Sequence, residues 1–195
     1  MLNLTFDQES KKLLCGLIGH VMTQYRHDPF LYTNTFTRQC EIFFEDIVVM
    51  LKSQSVPVDF FFWGSDDVSK FSIQPIKKEE AVSALKGTKQ IDFPVNETII
   101  DVLLVEDDIK QKKDGKAIFE YRFAKGIVFV FKDRQIAFER QGEYFSEEIR
   151  PIKTNESAIS MFEPTKSGED VWVEGQATEH SRNVTSLRGQ TDDRS

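Results

Sequence analysis

The clearest alternation of apolar and polar positions runs from Ile118 to Arg140. It divides into short runs rich in Phe, Val and Ile, broken at Ala124-Lys125-Gly126 and at Lys132-Asp133-Arg134, and predicts a three-stranded meander. Gly126 can adopt a positive φ without strain, and Asp133 tolerates turn geometry. Two earlier stretches carry apolar residues at helical spacing. After Asp7, a suitable N-cap, Leu13, Leu14, Leu17, Ile18, Val21, Met22 and Tyr25 form one stripe. From Thr35 to Ser53, Phe36, Cys40, Phe43, Phe44, Ile47, Val48 and Leu51 form a second, widened by Ile42, Val49 and Met50. On that helix Glu41 and Glu45, spaced i and i+4, belong to a solvated acidic face.

Between these segments lie a strand at 57–63 with Pro57 at its start, a partner strand at 70–76, and a short helix at 77–86 closed by Gly87. A β-branched strand follows at 98–105, then a charged loop at 106–116. Pro151 marks an edge strand near 148–152. From Gly175 onward only Val184 and Leu187 are aliphatic beyond alanine, too little to offset the entropy of ordering. The pattern predicts an α+β fold over 1–174. Two N-terminal helices pack on a mainly antiparallel sheet built from 57–63, 98–105, 117–124, 127–131 and 135–140, with the meander at 118–140. A disordered, flexible polar tail occupies 175–195. Leu14, Leu17, Ile18, Val21, Phe43, Phe44, Ile47, Leu51, Phe61, Leu103, Phe129 and Phe138 form the expected core.

Composition adds two points. The 195 residues suit one domain with appendages, and 17 Phe let few positions bury much area. The formal net charge of −7 makes nucleic acid an unfavourable partner and a basic protein a favourable one. The lysines at 110, 112, 113 and 116 around Asp114 and Gly115 read as a solvated turn. Cys15 and Cys40 lie among apolar neighbours as small hydrophobes, with no disulfide expected. No stretch is apolar enough to span a membrane and no signal peptide is evident, so a cytoplasmic setting is expected.

Chemical motifs are sparse. Val102-Leu-Leu-Val-Glu-Asp-Asp108 resembles the first strand of response-regulator receiver domains, whose terminal acids hold Mg²⁺. The aromatic meander downstream departs from that family and excludes the match. Asp101 together with Glu120-Tyr121-Arg122 resembles the acid and acid-x-Lys pattern of restriction-type nucleases. That resemblance implies a metal-dependent hydrolase in which Asp101 and Glu120 gather Mg²⁺. The departure is Arg122 at the Lys position, since Arg stays protonated and cannot act as a base. The competing reading is a cross-strand ion pair. No cofactor or metal site is expected otherwise. The favoured function is a non-catalytic interaction protein, in one version an acidic inhibitor or immunity-type protein that sequesters a basic partner through Glu106, Asp107, Asp108, Asp66 and Asp67. The alternatives are the hydrolase and a small-ligand-binding domain.

Overall fold

A computed structural model describes residues 2–30, 34–60, 64–85, 87–141, 146–165 and 176–190, the side chains of 59, 60, 64–66, 176, 177 and 190 excepted. In chain order the elements are β1 (Leu2–Leu4), α1 (Gln8–Gly16), β2 (Val21–His27), β3 (Phe36–Thr37), β4 (Gln39–Phe44), β5 (Val48–Phe60) and β6 (Gly64–Ile76). There follow β7 (Ile91–Thr98), β8 (Asp101–Lys113), β9 (Lys116–Val130), β10 (Gln135–Arg140), β11 (Glu148–Thr154) and β12 (Gln176–Ser186). One sheet has the order β12-β8-β9-β10-β11-β3, with β1 added in parallel to β9, and the other runs β6-β5-β4-β2-β7. Every other pairing is antiparallel.

The α+β expectation with two N-terminal helices is overturned. The first helix stops at Gly16, with Leu17 as its C-cap. Gly19 then takes φ 90° and donates its N–H to Ile99 O at 2.8 Å, and the chain leaves as β2. Only the first part of the predicted stripe is therefore helical. The second expected helix, 35–53, is strand throughout most of its length. Here β4 is buried from Cys40 to Phe44, on both faces, so its apolar residues, interrupted only by Glu41, mimic a wide helical stripe. Glu45 and Asp46 are not part of a helical face but the tip of the β4–β5 hairpin, closed by Phe44 N–H donating to Ile47 O at 2.8 Å.

The expected 77–86 helix is reduced to a 3-10 turn at Lys78–Glu80, although Gly87 does take a positive φ of 79°. The first two strands of the meander are one strand, β9, with an irregularity at Lys125 in place of the expected turn. The β9–β10 turn forms at 132–134, where Phe131 N–H donates to Arg134 O. The lysine-rich stretch forms the β8–β9 turn, with Asp114 and Gly115 both at positive φ. The disordered tail is corrected over 176–186, where β12 pairs with β8 from Gln176 opposite Lys113 to Ser186 opposite Leu103, while 175 and 191–195 lie outside the described residues.

The two sheets face each other across one core. Tyr25, Ile42, Leu51 and Phe71 meet Val102, Ile127, Phe129 and Phe138 there, with Leu14 and Leu17 of the helical segment and Leu187. The Tyr25 ring stands edge-on to Phe138 at 5.2 Å. Of the expected core, Ile18, Val21, Ile47 and Leu103 are only partly buried, and Phe61 lies outside the described residues. The other face of the first sheet is covered by the segment around Ala158 and Phe162, which packs on Val105, Val128, Ala137 and Ile152. Among the described residues, no helix is long and apolar enough to cross a membrane.

Candidate functional site

The three consecutive acids of β8 diverge. Glu106 receives Lys11 Nζ at 3.3 Å. Asp108 is held by the Arg122 guanidinium and by Asn183 Nδ2 at 2.8 Å. Asp107 is fully buried and accepts from Arg182, from Thr165 Oγ1 at 2.6 Å, and from His180 Nε2 at 3.0 Å. Burial alone would raise its carboxyl, but the hydrogen bonds from Arg182, Thr165 and His180 outweigh that and hold it below the usual carboxylate range. Beside it Glu139, also buried, takes Lys125 Nζ at 3.0 Å and Arg150 at 2.6 Å. Arg150 and Arg182 both reach the carbonyl groups of 161–163. These charges therefore fasten the covering segment to the sheet, and Glu106, Asp107 and Asp108 do not form one acidic field. Asp67 is exposed on β6 opposite Pro57, and Asp66 lies next to it opposite Val58, its side chain outside the described set.

Asp101 and Glu120 are not brought together. Asp101 pairs with Val130 in register and Glu120 with Lys110. The nine strand positions from 101 to 110 correspond to about 30 Å. Asp101 accepts from Ser186 Oγ at 2.7 Å and from Arg188 N–H at 3.1 Å, while Glu120 pairs with Lys110 at 2.9 Å. Arg122 likewise forms the cross-strand pair with Asp108. Glu120, Asp108, Lys110, Arg122 and Glu179 line a shallow groove of about 300 Å³ over β12, β8 and β9, its charges already paired across strands. Among the described residues no three His, Cys, Asp or Glu side chains converge as a metal site would require.

Sequence reading missed a different constellation, at the end of β2. His27 is fully buried in a stack of rings: Phe36 at 4.1 Å, Phe93 at 4.7 Å and Phe30 at 5.1 Å. Its Nδ1 lies 2.6 Å from Asp28 O. A carbonyl only accepts, so Nδ1 carries the proton and Nε2 is left as an acceptor. Among the described residues Nε2 is buried without a partner, and so is Asp28 Oδ1. Asp28 Oδ2 accepts from Leu85 N–H at 3.0 Å. Opposite, Glu41 is fully buried and accepts from Gln39 Nε2 and Gln90 Nε2, both at 2.8 Å. Burial pushes its carboxyl up to about 7 against the lowering effect of those hydrogen bonds, with a further push from Asp28. Burial lowers the His27 pKa against the raising effect of Asp28, which favours the neutral ring. No Lys or Arg forms an ion pair with Asp28 or Glu41 among the described residues. Arg26 is committed to Asp92 at 2.6 Å.

Three exposed apolar side chains surround this cluster. Phe30 is 41% exposed, Val82 59% and Ile91 41%. Phe30 stacks on His27, Ile91 is its register partner on β7, and Val82 O accepts from Gln39 Nε2 at 2.7 Å. Tyr25 and His27 are two residues apart on one strand, with rings 5.9 Å apart. That period-two signal was hidden by the helical reading of 13–25. Glu41 was likewise assigned to a solvated face that the two-sided burial of β4 does not leave. Comparison with protein-family models, with curated proteins and with solved structures returned no match.

Proposed function

We propose that the chain is a non-catalytic interaction protein that holds a basic partner protein, as an inhibitor or adaptor does. The contact is the surface carrying Phe30, which stacks on His27, Ile91, the register partner of His27, and Val82, whose carbonyl meets Gln39 beside Glu41. One observation carries this reading: Asp28 is a buried acid with one backbone hydrogen bond and, among the described residues, no cation, next to a His27 ring stacked against the exposed Phe30. An apolar rim that excludes water strengthens any charge pairing it encloses, the usual arrangement at the centre of an interface. The net charge of −7 adds long-range attraction for a cationic partner. The hydrolase reading receives no such support, because its two carboxylates stand about 30 Å apart along β8 and β9.

The test is fluorescence anisotropy with a labelled amphipathic peptide of Lys, Arg and Leu, beside a counterpart in which Glu replaces the cations. The basic peptide is expected to bind, to weaken with salt, and to weaken further in Val82→Asp and Ile91→Asp. Equal binding of both peptides, or indifference to those two variants, overturns the proposal.

A further inference from the structure

The cluster at the end of β2 combines features that define the group it would bind. His27 Nε2 and Asp28 Oδ1 are both acceptors, both buried, and both without a partner among the described residues. Buried acceptors left unpaired are costly, and the cost is removed by a donor. The rings of Phe30, Phe36 and Phe93 each lie within 29° of the His27 plane, in a stack centred on His27. Such faces attract cations. The same aromatic group already carries one: Lys153 Nζ sits 4.7 Å from the Phe93 ring and 5.1 Å from Tyr25. An anion is disfavoured by Asp28 and Glu41, and the described residues offer no triad of metal ligands. An uncharged apolar group would leave both acceptors orphaned.

We propose that this cluster is a binding site for a single guanidinium group, the arginine side chain of a partner protein, with Asp28 Oδ1 and His27 Nε2 accepting its N–H groups and the Phe30 ring stacking on its plane. Arginine fits better than lysine because a planar fork supplies several donors at once while presenting a flat face to the rings. Phe30 is the exposed member of the stack, so the approach is from its side, and the ring moves to admit the group. Asp28 Oδ2 keeps its bond from Leu85, which fixes the carboxylate orientation. Other charged groups around the cluster do not compete: Arg26 is paired with Asp92, and Arg134 reaches Glu97 and Val95 O. Lys153 remains on the Phe93 and Tyr25 faces.

This inference rests on the proposed partner-binding surface but can fail separately from it. The probe is N-acetyl-arginine amide, with N-acetyl-citrulline amide as the uncharged analogue of the same shape. The readout is the ¹⁵N chemical shift of His27 Nε2, which responds when that atom gains a donor. The arginine probe is expected to give a saturable shift, and the citrulline probe to bind at least about tenfold more weakly, the discrimination that a charge-assisted pair supplies. Asp28→Asn keeps a side-chain carbonyl for Leu85 N–H and is expected to abolish the shift while remaining folded by circular dichroism. Phe30→Ala is expected to weaken it. No saturable shift, or equal binding of both probes, overturns the arginine site and assigns the two acceptors to internal solvation. If the basic peptide still binds through Val82 and Ile91 in Asp28→Asn, the docking surface stands and only the arginine assignment falls.

Discussion

Leu187→Ala is the sharpest test of whether β12 belongs to the folded domain. Leu187 is 1% exposed, packs in the main core between the sheets, and donates its N–H to Val102 O at 2.9 Å. Truncating a buried leucine costs about 2–5 kcal/mol, depending on how far the cavity collapses. The neighbours Val102 and Leu104 lie on a strand paired on both sides, by β12 and by β9, so little collapse is available and a value near 3 kcal/mol is expected. Val184, within β12, is 45% exposed, so Val184→Ala should stay within about 0.5 kcal/mol. Urea unfolding separates the two. With a slope of about 2 kcal/mol per molar, the Leu187 variant should lose about 1.5 M in midpoint and the Val184 variant almost nothing. A Leu187→Ala midpoint unchanged from the parent would show that the segment does not dock and would restore the mobile tail.

Glu41 makes stability fall with rising pH. Its folded-state pKa of about 7 lies above its ordinary 4.5, so the stability tied to its protonation is fully present below 4.5 and lost as pH climbs through about 7. The loss is up to about 3 kcal/mol, and urea unfolding at several pH values should show Glu41→Gln flattening it. Gly126→Ala should destabilise by about 1–3 kcal/mol or more in the same assay. A Cβ there would lie 2.6 Å from the Phe162 ring and 2.7 Å from Phe138 O, and the backbone oxygen has little room to give. In calorimetry with Mg²⁺ and Mn²⁺, Asp101→Asn and Glu120→Gln should each match the parent protein, since the two acids do not share a site. Micromolar binding abolished in both variants would contradict that geometry.

Some of this molecule was legible from the chain alone. The β-rich character of 118–140, the turns at 132–134 and around Asp114-Gly115, the positive φ of Gly87 and the burial of Phe129 and Phe138 all follow from local chemistry. These features depend on residue type and nearest neighbours, which a sequence states directly. The state of 35–53 did not follow, because a strand buried on both faces carries apolar residues at neighbouring positions that also satisfy helical spacing. Only the second sheet and the core between the sheets decide between them. The placement of β12 was equally invisible. Its exposed side chains carry little apolar signal, and its order comes from backbone pairing to β8, from polar contacts such as Arg182 to Asp107, and from the buried Leu187 that follows it. Backbone hydrogen bonds are the same for every residue, so composition cannot announce them. The fates of the acids were also tertiary. Asp107 is buried and paired because Arg182 arrives from a strand 75 residues away, whereas Asp28 and Glu41 are buried with no cation paired to them among the described residues. Charge identity is written in the sequence, but whether a charge is compensated depends on what the fold places beside it.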